Sequence, residues 1–90
     1  MTEEELILEL KAHTRKGAEA LYDQYAIQLY RIIALRVKDP EQAEQALLEV
    51  FQTIWQEAGD YDALESRLAV WMMAIARRVS KKSSDEGKVC

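Results

Sequence analysis

A strip of basic side chains with one tryptophan, near the end of the chain, has the composition of a nucleic-acid surface. Between Arg67 and Lys82 the sequence contains no acidic residue. The residues of this basic strip recur at four- and three-residue steps along one side of a predicted helix, namely Arg67, Trp71, Ala74, Arg78 and Lys82, with Arg77 and Lys81 on the other flank. Cations bind phosphates with release of counterions, and an indole stacks on a base. The alternative interpretation makes Trp71 a core residue and the cations an ordinary solvated helix end, favoured by the helix dipole.

A polar face rich in Gln and Glu, on the preceding predicted helix, is the second candidate surface. Its residues would form a protein-docking ridge, consisting of Gln45, Leu48, Glu49, Gln52 and Gln56. Leu48 is an apolar residue beside this polar arc, and an exposed apolar side chain suits a protein partner. The alternative is an ordinary solvated face, with Phe51 and Trp55 packed in the core as aromatic residues at helical spacing usually are.

Catalytic and metal-binding chemistry has little support in this sequence. There is one His, His13, and one Cys, Cys90, so neither a disulfide framework nor a thiolate metal cluster can form. Asp60 and Asp62 lie two residues apart, but their neighbours offer no further metal ligands, and such acids usually cap turns. We expect His13 to be a solvated loop residue. The sequence therefore predicts a binding module that is not an enzyme and needs no metal or cofactor.

The length and charge of the chain bound what it can be. Its 90 residues support one domain, and its formal net charge is −4. Residues 1–66 hold 14 acids and six bases, a net charge of −8, whereas residues 67–90 hold six bases and two acids, a net charge of +4. This asymmetry indicates two surfaces with different partners. The longest apolar run, residues 68–76, is too short to span a bilayer, and the acidic start is unlike a signal peptide, so we expect a cytoplasmic protein.

The elements that must position these residues are all helical, because apolar residues recur at three- and four-residue steps and nowhere alternate over a useful length. The predicted architecture is a compact bundle of three main helices with a short extra helix at the N-terminus. The predicted helices cover residues 2–12, 18–38, 40–57 and 66–82, with residues 13–17 as a connection. Along the last of these helices, the predicted core stripe is Leu68, Met72, Ile75 and Val79. Thr2 and Asp39 are predicted N-caps, and Pro40 suits the first position of a helix. Residues 1–82 would form the domain, and residues 83–90 a flexible tail or the start of an interdomain linker.

Four separated motifs, in order, resemble conserved region two of bacterial sigma factors, and most of all the extracytoplasmic-function (ECF) group. The motifs are Ala20-Leu21-Tyr22-Asp23-Gln24-Tyr25, Ala43-Glu44 with Glu49-Val50-Phe51 and Ile54-Trp55, Arg67-Leu68, and Trp71-Met72 with Ile75-Ala76-Arg77. The resemblance covers roughly residues 4–82. It implies a helical domain that binds the clamp helices of the largest RNA polymerase subunit and reads the melted minus-ten promoter element.

The resemblance also implies roles for particular residues. The polymerase contact falls on the docking ridge, at Gln45, Leu48, Glu49 and Gln52. The loop over residues 59–66 would hold a flipped base, and the last helix would contact the non-template strand. The implied DNA-binding residues are Asp60, Tyr61, Ser66, Arg67, Trp71, Arg77, Arg78, Lys81 and Lys82. Base extrusion and stacking are general means of recognising single strands. An anti-sigma factor is a further implied partner.

The sequence departs from the family pattern on both surfaces. The family commonly has Asp at the position of Gln45 and Gln at that of Leu48, while Arg78 and Lys82 replace Asn and Asp and make the DNA face more basic. The helix-turn-helix domain of a full factor is absent, so the chain is either an excised domain or works with a separate partner. Two functions stay open, a promoter-melting domain and a sigma-like interaction module that binds polymerase or an anti-sigma protein without reading DNA.

Overall fold

Four α-helices and a single 3-10 turn make up the part of the chain that the structure describes. In this computed structural model the backbone is described for residues 2–89 and the side chains for residues 2–82. The elements are α1 (Glu3–Lys11), α2 (Arg15–Ala34), α3 (Pro40–Glu57), the 3-10 turn Ala58–Asp60, and α4 (Leu68–Val89). The predicted all-α fold of three main helices and a short N-terminal one is confirmed. The last helix was predicted to end at residue 82, with a flexible tail or linker after it, whereas the backbone of α4 continues to Val89. The domain boundary at residue 82 stays a prediction.

Capping side chains mark where the first three helices begin. The Thr2 hydroxyl accepts a hydrogen bond from the Glu5 amide at 3.1 Å, and the Asp39 carboxylate accepts one from the Glu41 amide at 3.0 Å. Pro40 follows in the first turn of α3, where its missing N–H leaves nothing unpaired. Each cap satisfies an amide that has no partner within its helix. Both predicted N-caps are therefore confirmed.

The start of α2 differs from the prediction, because Thr14 caps a helix that already begins at Arg15. Its hydroxyl accepts a hydrogen bond from the Gly17 amide at 3.0 Å, so Gly17 is helical and does not belong to a connection. A Cβ added at Gly17 would lie 2.8 Å from the Cβ of Glu9 and 2.9 Å from its carbonyl carbon. Gly17 is therefore needed where α1 and α2 approach closely, which the sequence pattern had not revealed.

The turn between α1 and α2 is closed by a Schellman motif with His13 at its left-handed position. His13 has φ 56°, and its amide donates to the Leu10 carbonyl while the Thr14 amide donates to the Glu9 carbonyl, both at 3.1 Å. The His13 Nε2–H also donates to the carbonyl of Trp55 at 2.8 Å, and the two rings meet edge to face. His13 is exposed, as expected, but it also ties this turn to α3.

The core lies where α2, α3 and α4 pack together, with α1 covering one end. It is formed by buried apolar side chains from every helix, including Leu6, Leu10, Leu21, Leu29, Ile33, Val50, Ile54, Leu68, Met72 and Val79. At its C-terminus α2 ends at Ala34, four residues earlier than predicted, and the amides of Arg36 and Val37 both donate to the Ile33 carbonyl. This tightened turn returns Val37 to the core. Within the described residues, no helix is long and apolar enough to cross a membrane.

Candidate nucleic-acid and protein interfaces

Helix α4 presents the basic strip to solvent because its opposite side is buried. The predicted core stripe is confirmed, since Leu68, Met72, Ile75 and Val79 are all buried. The cations of the basic strip are exposed, as are Arg77 and Lys81 on the other flank. With one side of the helix held in the core, the polar side chains of the other side can only face water. The arrangement offers a row of cations to a polyanion.

Trp71 lies at the border between the buried and exposed sides of α4. It is half-buried and packs against the core, and its ring centroid lies 4.9 Å from that of Tyr61, with the planes tilted by 41°. Neither alternative from the sequence describes it fully, because one part of the indole is packed and another part is accessible. A partly exposed aromatic ring that is fixed by its packing is suited to stacking on a flat partner.

The loop before α4 is held from inside by Tyr61. Its side chain is only 4% exposed, and its hydroxyl donates a hydrogen bond to the Ser66 carbonyl at 2.7 Å. The Nζ of Lys11 in α1 donates to the Tyr61 carbonyl, also at 2.7 Å. Burial, and then the negative charges of Glu3 and Asp62, raise the pKa of Tyr61, so its hydroxyl stays protonated and able to donate. The ring of Tyr61, one of the predicted DNA contacts, therefore faces the core, where it supports the loop.

Other side chains of the same loop face solvent. Asp60 is exposed and Ser66 is half-buried, while the Asp62 carboxylate accepts a hydrogen bond from the Leu64 amide at 2.8 Å and caps the turn. Leu64 is 97% exposed at the tip of this turn, and Val70 is exposed one turn into α4. Neither member of this apolar pair was among the residues predicted to be functional. The sequence could have predicted that Val70 is exposed, because its position falls outside the helical period of the buried residues of α4.

Three acids from other helices reach the cations of the basic strip. The Arg78 guanidinium is hydrogen-bonded to the Glu57 carboxylate at 2.9 Å, whereas Arg67 lies 3.8 Å from Glu3 and Lys82 lies 3.8 Å from Glu49. We call these acids, Glu3, Glu49 and Glu57, the acidic rim. Within residues 2–82 neither Arg77 nor Lys81 has a carboxylate within 4.0 Å. No sequence pattern predicts these pairings, because their partners come from separate helices.

The predicted docking ridge is found on α3. Gln45, Leu48, Gln52 and Gln56 are exposed, with Leu48 60% exposed, whereas Glu49 is half-buried. Glu49 belongs to both surfaces, since it lies on the ridge and also pairs with Lys82. The two surfaces that the charge distribution predicted thus meet along the line where α3 packs against α4.

An apolar groove runs between α2 and α3 beside the docking ridge. It has a volume of about 270 Å³ and is lined by Ala18, Leu21, Tyr22, Leu48, Phe51, Gln52 and Trp55. Phe51 and Trp55 pack against the core, as the sequence indicated, but they are only half-buried and their outer edges form the groove. Leu48 therefore belongs to an accessible apolar surface and is not an isolated exposed side chain.

The described residues contain no group of three or more His, Cys, Asp or Glu side chains that could hold a metal ion. The carboxylate of Asp62 caps its own turn, as such acids usually do. The surfaces described above offer ionic pairing, hydrogen bonding, stacking and apolar contact.

Comparison with known proteins identifies the family. The model of the Sigma-70 region 2 family matches residues 21–84. The chain is 25% identical over 73 residues to the ECF RNA polymerase sigma factor SigK of Mycobacterium ulcerans (strain Agy99), covering 81% of this chain and 39% of the relative. It is 28% identical over 69 residues to the protein of the same name from Mycobacterium sp. (strain KMS), covering 74% of this chain and 36% of the relative.

The chain thus spans well under half the length of these curated relatives. No solved structure gives a significant match. The family model, however, covers most of the 90 residues, including α3, the loop and α4 up to residue 84. The chain belongs to the Sigma-70 region 2 family, as a region-2 domain of the ECF type.

Proposed function

We propose that this chain acts in transcription initiation by joining RNA polymerase to a melted promoter. In this proposal α3 docks on the clamp helices of the largest polymerase subunit. The loop before α4 and the exposed side of α4 then bind the non-template strand of the minus-ten element as single-stranded DNA. The chain performs no covalent chemistry, needs no cofactor and works in the bacterial cytoplasm, where polymerase is found.

The observation that carries the proposal is the placement of Trp71 within the basic strip. Arg67 and Arg78 lie on the same exposed side of α4, one turn before and two turns after the half-buried indole. Guanidinium groups contact phosphates, and an aromatic ring contributes about 1–3 kcal/mol for each base that stacks on it. A single strand offers both groups at once, since its bases are not paired within a duplex.

The loop of residues 59–66 is the proposed place for an extruded base. Its backbone is anchored by the Tyr61 hydroxyl and by Lys11, so a bound base would meet a preformed surface. Asp60, Asp62, Leu64 and Glu65 are among its exposed side chains, and Ser66 is half-buried. A preformed loop lowers the entropy cost of binding.

The docking ridge supports the polymerase part of the proposal. Its exposed glutamines offer hydrogen-bond donors and acceptors, and Leu48 offers an apolar contact at the mouth of the groove. This combination of an apolar centre and a polar surround is typical of protein interfaces. Glutamine at position 45 and leucine at position 48, in place of the family's more polar pair, shift this contact from charge towards apolar packing.

A second function rests on the apolar groove. In that case the chain is a sigma-like module that binds polymerase or an anti-sigma protein without reading DNA. The groove and Leu48 favour it, since exposed apolar surface of this kind marks protein partners. The acidic rim also favours this second function, because its acids form ion pairs with the cations that would otherwise contact DNA phosphates.

Binding of a labelled single-stranded oligonucleotide, followed by fluorescence anisotropy with and without core polymerase, separates the two functions. The proposed function predicts binding that weakens with salt, with a slope of about −0.7 per phosphate contacted. Arg78→Glu should lower the affinity about tenfold, because one phosphate contact becomes a repulsion.

The matched control is Arg36→Glu, which makes the same charge change at an exposed site between α2 and α3. An equal loss of oligonucleotide affinity in both variants would show that only the net charge of the chain matters, and not the position of Arg78. Absence of salt-dependent binding, even with polymerase present, would refute DNA reading. A polymerase or anti-sigma complex that forms regardless of Arg78→Glu would then support the second function.

A further inference from the structure

The three acids of the acidic rim contact cations of the basic strip that a bound nucleic acid would also contact. Its three acids come from α1 and α3, and each lies against a different cation of the basic strip. The Glu57–Arg78 pair has the best geometry, with a hydrogen bond of 2.9 Å, whereas the other two pairs are 3.8 Å apart. Glu57 therefore holds its cation most closely.

The position of Glu57 within α3 is electrostatically unfavourable for the helix itself. It is the last residue of α3, at the negative end of the helix dipole. An acid at a helix C-terminus is repelled by that partial charge, so the helix dipole does not favour Glu57 at this position. The carboxylate is instead stabilised by its hydrogen bond with Arg78, 21 residues further along the chain.

We propose that the acidic rim competes with nucleic-acid phosphates for the cations of the basic strip, and that Glu57 is the main competitor for Arg78. This inference rests on the proposed function. A phosphate that approaches Arg78 must displace the Glu57 carboxylate, so part of the phosphate contact energy is spent on breaking the ion pair. The rim thereby lowers the affinity for any strand that is held by backbone contacts alone, and it sets how many cations take part in binding.

The size of the effect follows from the exposure of the pairs. Exposed ion pairs are weak, and breaking one corresponds to a change of about 1.5- to 5-fold in an equilibrium constant. Removing the Glu57 charge should therefore tighten binding by no more than about fivefold. The gain should be largest at low salt, because salt screens the intramolecular pair as well as the phosphate contact.

Glu57→Gln tests the inference, with Glu44→Gln as the matched control. Both changes remove one negative charge from α3, but Glu44 borders a cleft with Tyr22 and Tyr30 of α2, away from α4. Measured on the same single-stranded oligonucleotide at low salt, Glu57→Gln should bind about two- to fivefold more tightly than Glu44→Gln. Its salt slope should steepen by about 0.7, since one further phosphate is contacted.

A double-mutant cycle with Arg78→Gln assigns the gain to this pair. The inference predicts that Glu57→Gln brings no extra affinity when Arg78 is already neutral. It is overturned if Glu57→Gln and Glu44→Gln bind equally, or if the gain persists in the Arg78→Gln background. If Glu57→Gln lowers the thermal stability, the same cycle is measured at the Glu3–Arg67 pair with Glu3→Gln and Arg67→Gln. If Glu3→Gln then binds the oligonucleotide no more tightly than Glu44→Gln, the inference is also overturned.

The two proposals fail in different ways. If the unaltered chain binds no single strand, alone or with polymerase, the proposed function fails and this inference fails with it. If the unaltered chain binds and only the difference between Glu57→Gln and Glu44→Gln is missing, the proposed function stands and the competition is refuted.

Discussion

The ring centroids of Tyr61 and Trp71 lie 4.9 Å apart, so this contact joins the loop before α4 to the exposed face of that helix. Tyr61 is buried and hydrogen-bonded to the Ser66 carbonyl, whereas Trp71 is half-buried at the border of the basic strip. The aromatic pair thus connects the core with the surface that we propose to bind DNA. A change at Tyr61 should act on the loop through its support, without removing a surface contact.

Tyr61→Phe should destabilise the domain by about 1 kcal/mol. The ring and its packing on Trp71 are kept, but the Ser66 carbonyl loses its hydrogen-bond donor. Urea unfolding followed by circular dichroism measures the difference. Tyr22→Phe, at an exposed tyrosine on α2, is the control and should stay within about 0.5 kcal/mol of the unaltered chain. Equal effects at the two sites would contradict a structural role for the Tyr61 hydroxyl.

The raised pKa of Tyr61 predicts a loss of stability at high pH. The unfolded chain releases the phenolic proton near pH 10.0, whereas the folded chain retains it because of burial and the nearby Glu3 and Asp62. The stability is therefore fully present below pH 10.0 and is lost as pH rises towards the folded pKa, by at most about 1.4 kcal/mol per pH unit. The stability advantage over Tyr61→Phe should shrink as the pH rises from 10.0 to about 11. An advantage that is constant over this range would show that the pKa is not raised.

Gly17→Ala should destabilise the domain although alanine is the better helix former. The new Cβ would lie 2.8 Å from the Glu9 Cβ and force α1 away from α2, at a cost of about 1–3 kcal/mol that exceeds the propensity gain of roughly 1 kcal/mol. Gly59→Ala is the control, because a Cβ added there would meet nothing within 4 Å, and it should be neutral or stabilising by about 0.4–1 kcal/mol. Thermal unfolding compares the two, and a stabilised Gly17→Ala variant would contradict the close helix contact.

Leu48→Ala should separate protein docking from DNA binding. Loss of an apolar side chain that becomes buried at an interface costs about 1.5–3 kcal/mol, which corresponds to at least a tenfold weaker complex with core polymerase. Oligonucleotide binding and stability should be unchanged, because Leu48 is 60% exposed in the free chain. Leu35→Ala, another exposed leucine at the end of α2, is the control. Equal polymerase affinities for these two variants would place the contact elsewhere.

The helices and the core could be predicted from the sequence to a large extent. Caps at Thr2 and Asp39 depend only on local hydrogen bonds within one turn, and the buried stripe of α4 follows from helical periodicity, so both were correctly predicted. The start of α2 was predicted three residues late, because the sequence alone does not show that a glycine faces a neighbouring helix. The predicted contacts to DNA and polymerase stay predictions.

The sequence alone determines the order of the helices, the apolar side of each, and the concentration of basic charge on the last one, since all three follow from residue type and spacing along the chain. Only the tertiary structure decides that Tyr61 faces inward, that His13 reaches the carbonyl of Trp55, and that Glu57 reaches Arg78. These contacts join residues 21 or more positions apart or depend on which side of a loop is buried. Such distances are set when helices pack, because packing brings together side chains whose separation in sequence carries no periodic signal.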